Sequence, residues 1–419
     1  MAPILQRISK TFIKPSSPTP ESLRCYNLSS SDQMITSVYI SLAFFYGSPG
    51  CESSRIRQQL DNSLSRTLVY YYPFAGRLVD NDHIDCNDQG VQFVEVRIHC
   101  PISAILKQTT SYAEDLVFPR GTSACHEDSL VVVQLNRFEC GGVAIAVCIS
   151  HKVADGSGAI AFINDWAATA RVSSHIPSPL LVADSIFPHL DNSLPVPYNL
   201  SKNCVTRRFV FPAAEIEKLK SKAVESGLQQ PTRVEVVTAL LYQCALLASR
   251  STNSGLSRPS VLIQAVNLRP FLVPPLPRNS VGNIFSINFS IIEVDSLEFP
   301  ELAGRLRKAK LKFQNLSQEK LYYDSQMQEL GECLKQLNTG NFDVYYCSSW
   351  CRFPVYDVDF GWGKPTWVCT VKSQIKDMIV LMDSPGDEIA AFVTLEEEKM
   401  SAFQHNELLL SFASLYSAK

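Results

Sequence analysis

The sequence predicts an α/β protein built as two similar lobes. Strand-like and helix-like segments alternate in both halves of the chain. The length of 419 residues exceeds what one hydrophobic core usually supports, so two domains are expected. Residues 171–205 hold five prolines and little periodicity, as in a connection between domains. We therefore predict a first lobe over residues 1–175, a crossover over residues 176–205 and a second lobe over residues 206–419.

The first half of the chain is rich in short apolar, β-branched segments separated by Asn, Asp and Gly turns, which is typical of strands. Residues 15–20 contain three prolines and cannot be helical. Apolar residues at helical spacing predict helices over residues 56–68 and 159–170. The segments predicted as strands in this half are residues 23–28, 35–46, 74–78, 83–86, 91–98, 129–138 and 143–149.

The second half has the same mixture, although no sequence repeat relates it to the first. Thr232 precedes an apolar helical segment and is followed three residues later by Glu235, which is the pattern of a capping box. The predicted helices of this half are residues 213–226, 232–249, 302–311, 318–337 and 396–415. Its predicted strands are residues 261–268, 284–294, 343–349, 366–371, 378–382 and 389–395.

The charge balance argues against nucleic acid as a partner, and the lengths of the apolar runs argue against a membrane span. Thirty-eight Lys and Arg stand against 41 Asp and Glu, and no basic block occurs. No apolar run approaches the roughly 18 residues of a membrane-spanning helix. The first twelve residues lack the apolar core of a signal peptide.

The cysteine pattern indicates a reducing compartment. Thirteen cysteines are scattered singly, without any C-x-x-C pair. This pattern fits reduced thiols better than a disulfide framework or a zinc site. We therefore expect a cytoplasmic protein.

One stretch, residues 141–166, combines an apolar strand, an ionisable side chain and a glycine-rich turn. His151 lies at the end of the strand, directly before the turn. A strand fixes the backbone of a reactive group, and glycines let a ligand or other backbone approach closely. The other six histidines lie in polar, loop-like or strand-end stretches, where a surface or internally bonded histidine is expected. His151 is therefore the predicted catalytic residue.

Asp155 follows His151 by four residues and admits two interpretations. Helical spacing of i and i+4 would place both side chains on one face, where Asp155 could orient the imidazole. Asp155 and Gly156 are also typical of a turn, with Ser157 as the N-cap of the next helix. In that case Asp155 holds the loop by accepting hydrogen bonds from backbone or from an arginine. We favour this structural role.

Several other classes of site are excluded by missing motifs. The chain has no G-x-S-x-G nucleophile elbow, which argues against an α/β-hydrolase. It has neither the P-loop nor the G-x-G-x-x-G dinucleotide motif. No cluster of His, Cys and carboxylates has metal spacing. We therefore predict no metal and no permanently bound cofactor.

Two further segments contain candidate site residues. Residues 359–363 read D-F-G-W-G, which describes a tight, ordered loop. Asp359 is a candidate second catalytic carboxylate, but its turn-forming neighbours favour structural support. Arg269 terminates an apolar strand. It is either an exposed strand end or a fixed cation for an internal carboxylate or a phosphate.

The H-x-x-x-D-G of residues 151–156 and the D-F-G-W-G of residues 359–363 together resemble the paired motifs of the BAHD family, the plant acyl-CoA-dependent acyltransferases. Further segments similar to that family are residues 28–33, 72–77, 267–269 and 281–283. Stretches most similar to its monoterpene indole alkaloid O-acetyltransferases are residues 13–20, 150–156, 231–236 and 350–353. Tyr242 and Gln243 depart from the Trp-Lys that is widespread in the family.

The resemblance implies a two-lobed, chloramphenicol-acetyltransferase-like fold with a channel between the lobes and His151 at its middle. Acyl-CoA is expected from one face and an alcohol from the other, in a monomeric enzyme. Asp155 is implied to point away from the channel and to pair with Arg269. The remaining residues implied to support the site structurally are Gly156, Asp359, Gly361, Trp362 and Gly363.

The predicted function is O-acetylation of a hydroxylated monoterpene indole alkaloid, with acetyl-CoA as co-substrate and His151 as general base. Alternatives within the family are a terpenoid or aliphatic alcohol as acceptor, N-acylation, or a larger acyl donor. An alternative of another class is a non-catalytic relative that binds a small molecule. The intact histidine and both glycine-containing motifs argue against that last alternative.

Overall fold

The structure is a computed structural model. In it the chain folds into two large β-sheets with helices packed on them. The predicted α/β class is confirmed. The structure describes residues 4–50, 52–107, 115–119, 129–191, 195, 198–201, 203–252, 258–292, 298–313 and 342–415.

The elements of these residues are numbered in chain order. The strands are β1 (Leu5–Ile13), β2 (Cys25–Asn27), β3 (Tyr39–Tyr46), β4 (Arg77–Val79), β5 (His83–Asp85), β6 (Val91–Ile98), β7 (Val131–Phe138), β8 (Val143–Ser150), β9 (Leu180–Leu181), β10 (Cys204–Phe211), β11 (Ser260–Asn267), β12 (Ser280–Val281), β13 (Phe285–Ile292), β14 (Asp343–Ser349), β15 (Trp367–Thr370), β16 (Met378–Ser384), β17 (Glu388–Glu396) and β18 (Ser414–Leu415). The α-helices are α1 (Ser30–Met34), α2 (Ser53–Tyr70), α3 (Ile102–Leu106), α4 (Gly156–Arg171), α5 (Ala183–Ile186), α6 (Ala213–Glu225), α7 (Arg233–Thr252), α8 (Phe299–Leu311), α9 (Glu397–Gln404) and α10 (Glu407–Leu410). Short 3-10 helices are Glu21–Leu23, Tyr72–Ala75, Arg269–Phe271 and Val355–Asp357.

The first sheet has the strand order β1-β6-β7-β8-β3-β15 within the described residues. Strand β8 lies inside it, antiparallel to both β7 and β3, and every one of its residues is buried. Burial on both faces explains its uninterrupted apolar sequence. Helices α2 and α4 pack together on this sheet, with Leu60, Leu64 and Trp166 in the core. The edge strand β15 comes from the second half of the chain.

The second sheet has the order β13-β11-β14-β16-β17-β10-β18. Helix α7 supplies much of its core, and its predicted capping box is confirmed. The backbone N–H of Thr232 donates to Glu235 at 2.8 Å, and the backbone N–H of Glu235 donates to the Thr232 hydroxyl at 3.2 Å. Met382 and Phe392, on β16 and β17, instead belong to the core of the first sheet. The two sheets therefore share apolar contacts.

The strand predicted over residues 74–78 is wrong. Tyr72–Ala75 is a 3-10 helix, and a strand begins only at Arg77–Val79. Pro73 has no N–H to give to a sheet ladder and fits the first turn of a helix, which accounts for the difference.

The single helix predicted over residues 396–415 is also wrong, because the segment forms α9, α10 and strand β18. The side chain of Asn406 accepts a hydrogen bond from the N–H of Leu409 at 3.1 Å and starts a new helix there. The helix predicted over residues 318–337 lies outside the described residues. Across the described ranges, no helix is both long enough and apolar enough to cross a bilayer.

Candidate active site

His151 is the first residue after the buried strand β8. Its backbone N–H donates to the carbonyl of Val38 at 2.8 Å, so the strand pairing with β3 is extended to the histidine itself. Its ring lies 6.1 Å from the ring of Phe285, centroid to centroid, and Phe285 begins β13 of the other sheet. The imidazole therefore lies where the two halves of the chain meet.

Burial lowers the pKa of His151, and the nearby Asp155 carboxylate only partly offsets this effect. An imidazole with a lowered pKa is neutral at physiological pH. A neutral imidazole is the form that accepts a proton.

Asp155, rather than the predicted Ser157, is the N-cap of α4. Its backbone is extended, and its Oδ1 accepts from the N–H of Gly158 at 2.8 Å. An aspartate at this position satisfies a free N–H group of the first helical turn and carries a charge favoured there by the helix dipole. Assigning the cap to Ser157 placed the start of the helix two residues too late.

The carboxylate of Asp155 also binds Arg269 from the second half of the chain. The two guanidinium Nη atoms donate to its two oxygens at 2.6 and 3.0 Å. The backbone N–H of Ile284 donates to it at 3.1 Å. Arg269 in turn donates to the carbonyl of Ser280 through Nε and Nη2. The turn after His151 is thereby fixed to the segment that leads into β13.

Gly156 allows an aromatic loop of the second half to pack on the histidine turn. A Cβ atom at this position would lie 3.0 Å from the ring of Phe353 and 3.4 Å from Nε1 of Trp350. These contacts leave little room for a side chain. The glycine is therefore explained by close packing.

The D-F-G-W-G loop is held together by Asp359. Its Oδ1 accepts from the backbone N–H groups of Gly361 and Gly363 at 2.7 and 3.0 Å. Both glycines have positive φ, of +101° and +92°. Trp362 donates its indole N–H to Gln59 on α2 at 3.0 Å. Gln59 also donates to the carbonyl of Phe360 at 2.8 Å, and Arg171 at the end of α4 donates to Asp359 at 3.4 Å. These hydrogen bonds attach the loop to α2 and α4.

Sequence reasoning did not identify three buried polar residues near His151, which are Asp32, Lys152 and Asn283. Asn283 donates from Nδ2 to the carbonyl of His151 at 2.7 Å and to Oδ1 of Asp32 at 2.7 Å. Lys152 donates from its ammonium to the carbonyl of Gln33 at 3.0 Å and to the side chain of Asn81. Burial raises the pKa of Asp32, although hydrogen bonds from its neighbours oppose the shift.

The only sequence signal for these residues was their place in segments that resemble the BAHD family. Asp32 lies in residues 28–33 and Asn283 in residues 281–283. A lone polar residue in such a segment does not reveal which distant backbone atom it will bind.

The chain matches the Transferase family over residues 4–410. Deacetylvindoline O-acetyltransferase of Catharanthus roseus is 54% identical to it over 430 residues, which cover 98% of each chain. Minovincinine 19-hydroxy-O-acetyltransferase of the same plant is 54% identical over 435 residues, again 98% of each chain. The crystal structure of vinorine synthase superposes with a TM-score of 0.88 and 33% identity, covering 99% of this chain and 100% of that one.

The fold and these relatives define a two-lobed CoA-dependent acyltransferase. The chain belongs to the transferase family known as BAHD and is an acyl-CoA-dependent O-acyltransferase. The resemblance predicted from the sequence, including its closeness to alkaloid O-acetyltransferases, is confirmed.

Proposed function

We propose that this enzyme transfers the acetyl group of acetyl-CoA to a hydroxyl group of a monoterpene indole alkaloid, with His151 as the general base. The observation that carries the base assignment is the position of His151. It follows a fully buried strand where the two sheets meet, and burial lowers the pKa of its imidazole. The two relatives at 54% identity, both named as O-acetyltransferases, support acetyl as the acyl group and an alkaloid as the acceptor.

The chemistry needs only one well-placed base. A thioester is already activated, whereas an alcohol does not ionise near neutral pH. Neutral His151 takes the hydroxyl proton while the oxygen attacks the thioester carbonyl. The tetrahedral intermediate then expels the thiolate of CoA, which takes the proton back from the imidazolium. The products are the ester and free CoA, and the enzyme returns to its starting state without a covalent intermediate.

The supporting residues keep this base fixed rather than react. Asp155 and Arg269 tie the histidine turn to the second half of the chain. Asp359 supports the D-F-G-W-G loop that packs on α2 and α4. We propose that the lobes predicted over residues 1–175 and 206–419 enclose the channel for both substrates. We also propose that the enzyme acts as a cytoplasmic monomer.

The experiment that tests the function is a substrate panel with purified protein. Acyl-CoAs of increasing chain length are combined with hydroxylated indole alkaloids and with terpenoid and aliphatic alcohols. Release of free thiol is measured together with the product masses. We expect an acetyl ester of an indole alkaloid as the fastest product. A faster reaction with another alcohol class or a longer acyl group would replace this proposal with one of the alternatives. Binding without thiol release across the whole panel would favour a non-catalytic relative.

A further inference from the structure

Strand β13 leaves its apolar face open and buries its polar face. Successive side chains of a strand point to opposite faces, so its alternating sequence separates the two kinds of residue. The apolar face consists of Phe285, Ile287, Phe289 and Ile291, and the opposite face begins with Ser286, Asn288 and Ser290. The three polar residues are buried, whereas the four apolar ones are half-buried or exposed. A strand with one face in solvent normally shows the reverse arrangement.

The orientation of β13 is fixed by its pairing with β11. The two strands are antiparallel over eight residue pairs without a shift in register. A slip by one residue would exchange the two faces of β13. The orientation that occurs is costly, because both carboxamide atoms of Asn288 and the hydroxyl of Ser290 are buried without a hydrogen-bond partner among the described residues. The apolar face therefore stays open against the ordinary preference of the side chains.

The open face continues onto β11 at Ala265. Ala265 lies directly opposite Ile287, so the two side chains project from the same face. Strand β11 lies inside the sheet, between β13 and β14, yet Ala265 is exposed. A short side chain that is exposed on an interior strand has open space above it. The face is therefore a shallow groove, with Ala265 as its floor and Ile287 as one wall.

This groove begins at His151. The ring of Phe285, the first residue of the apolar face, lies 6.1 Å from the imidazole ring. From Phe285 to Phe289 the strand advances by about 13 Å, which is the length of a fused ring system of several rings. Contiguous apolar surface that a protein leaves open commonly marks a ligand-binding groove. Its position beside the proposed base points to a substrate as the ligand.

The acceptor alcohol suits this face better than CoA does. The amides and phosphates of CoA need hydrogen-bond donors, acceptors and cations in their site. Neither β11 nor β13 contains a charged residue along Ser260–Asn267 and Phe285–Ile292. The acetyl group has only two carbons and cannot cover the length of the groove. An apolar ring system can cover it, and binding pockets for such ligands are lined mainly by apolar and aromatic side chains.

We propose that the apolar ring system of the acceptor lies on this face, and that Ala265 and Ile287 determine which acceptors fit. The inference rests on the proposed function, because it presupposes that an alcohol reacts at His151. The rings cover Ile287 and Phe289, and the hydroxyl group reaches the imidazole past Phe285. Binding then removes from water the apolar surface that the free enzyme leaves open.

The test fills the groove with Ala265→Leu and measures the two substrates separately. The KM is determined for the fastest alcohol of the substrate panel at saturating acetyl-CoA, and the Kd of free CoA is determined by calorimetry. We expect the KM for the alcohol to rise by at least about tenfold, while the Kd of CoA stays unchanged. Ile287→Thr keeps the branched shape but adds a hydroxyl group, and it should raise the same KM by at least about fivefold. Because Ala265 is exposed, the leucine should not disturb folding, which a thermal melt checks.

The matched control is Ile8→Thr, the same substitution in another edge strand. Ile8 lies on β1, at the edge of the first sheet, and is 47% exposed. This variant should leave the KM for the alcohol unchanged. An equal rise in KM in Ile8→Thr and Ile287→Thr would overturn the inference, since the effect would then not depend on the groove.

Three other results would also overturn it. One is an unchanged KM for the alcohol in a folded Ala265→Leu enzyme. Another is a raised Kd of CoA with an unchanged KM for the alcohol, which would assign the groove to CoA. The third needs no variant, because crystals of the wild type with the alcohol would show its rings away from Ala265 and Ile287.

Failure of the inference is distinguishable from failure of the proposed function. If the fastest alcohol is not an indole alkaloid, the proposed function fails, while the same variants still test the groove with that alcohol. If no alcohol is acylated, binding of indole, followed by ligand-observed NMR, replaces the KM. Indole should then bind more weakly to Ala265→Leu than to the wild type, and equal binding overturns the inference.

Discussion

Arg269 holds Asp155 through two hydrogen bonds, of 2.6 and 3.0 Å, although 114 residues separate them in the chain. The side chains are almost completely buried, with exposed fractions of 3% and 9%. The pair differs from the aspartate–histidine pair of a serine protease, in which the carboxylate binds the imidazole. In the described part of the chain, the carboxylate of Asp155 accepts hydrogen bonds from Arg269 and from the backbone N–H groups of Gly158 and Ile284.

Removing one partner of this buried pair should destabilise the protein. In Asp155→Ala the guanidinium of Arg269 stays buried without its counter-charge, which costs about 3–5 kcal/mol in comparable buried pairs. We expect a matching loss in the free energy of unfolding by urea, and a reduced yield of folded protein. The control is Asp357→Ala, because Asp357 contacts Lys364 in an exposed ion pair, with exposed fractions of 59% and 68%. An Asp155→Ala protein of normal stability but without activity would contradict the structural role.

Replacing His151 should remove the chemistry and leave the fold. General-base catalysis contributes about 10²–10⁴-fold, so His151→Ala should lose at least about 100-fold in kcat. The thermal unfolding midpoint should stay close to that of the wild type, because the strand pairing at this residue uses its backbone N–H. Steady-state kinetics and a thermal melt on the same preparation check both points. Activity within about tenfold of the wild type would exclude His151 as the base.

The enzyme should remain active at a pH where an ordinary histidine is protonated. The base works in its neutral form, so kcat/KM rises with pH through the pKa of His151 in the free enzyme. Because burial lowers that pKa, the acidic limb should lie below the ordinary histidine value of about 6.5. A pH–rate profile over a range in which the protein stays folded measures the limb. An acidic limb above the ordinary value would show that the Asp155 carboxylate raises the pKa of His151 by more than burial lowers it.

Replacing Gly156 by alanine should destabilise the protein. The added Cβ would lie 3.0 Å from the ring of Phe353, so the ring or the turn would have to shift by a few tenths of an ångström. Overpacking of this kind typically costs about 1–3 kcal/mol, measured as the change in unfolding free energy of Gly156→Ala. Gly304→Ala in α8 is the matched control, because no atom lies within 4 Å of the added Cβ. The control should gain about 0.5–1 kcal/mol from reduced backbone freedom in a helix. Equal effects at the two positions would contradict the packing explanation.

The sequence predicted those elements that are determined by residues close together in the chain. The apolar run of β8 and the capping box of α7 are examples, and both occur as expected. Strand β1 was not predicted, because its sequence shows no alternation and its partner β6 lies about 80 residues further along the chain. The pairing of Asp155 with Arg269 came from the family resemblance, since no pattern links such distant positions. The roles of Asp32 and Asn283 likewise depend on a contact between the two halves of the chain.

The D-F-G-W-G loop should prove to be a stability element rather than a second catalytic group. Asp359→Ala removes the acceptor for the N–H groups of Gly361 and Gly363, which should cost about 1–3 kcal/mol in unfolding free energy. Gly361→Ala should cost about 1–2 kcal/mol by another route, because its φ of +101° is unfavourable for a residue with a side chain. In both variants kcat per folded molecule should stay close to the wild-type value, as measured by kinetics normalised to the folded fraction. A loss of kcat of about 100-fold in a fully stable Asp359→Ala enzyme would assign Asp359 a direct part in the reaction, because that is the scale of a lost acid–base group.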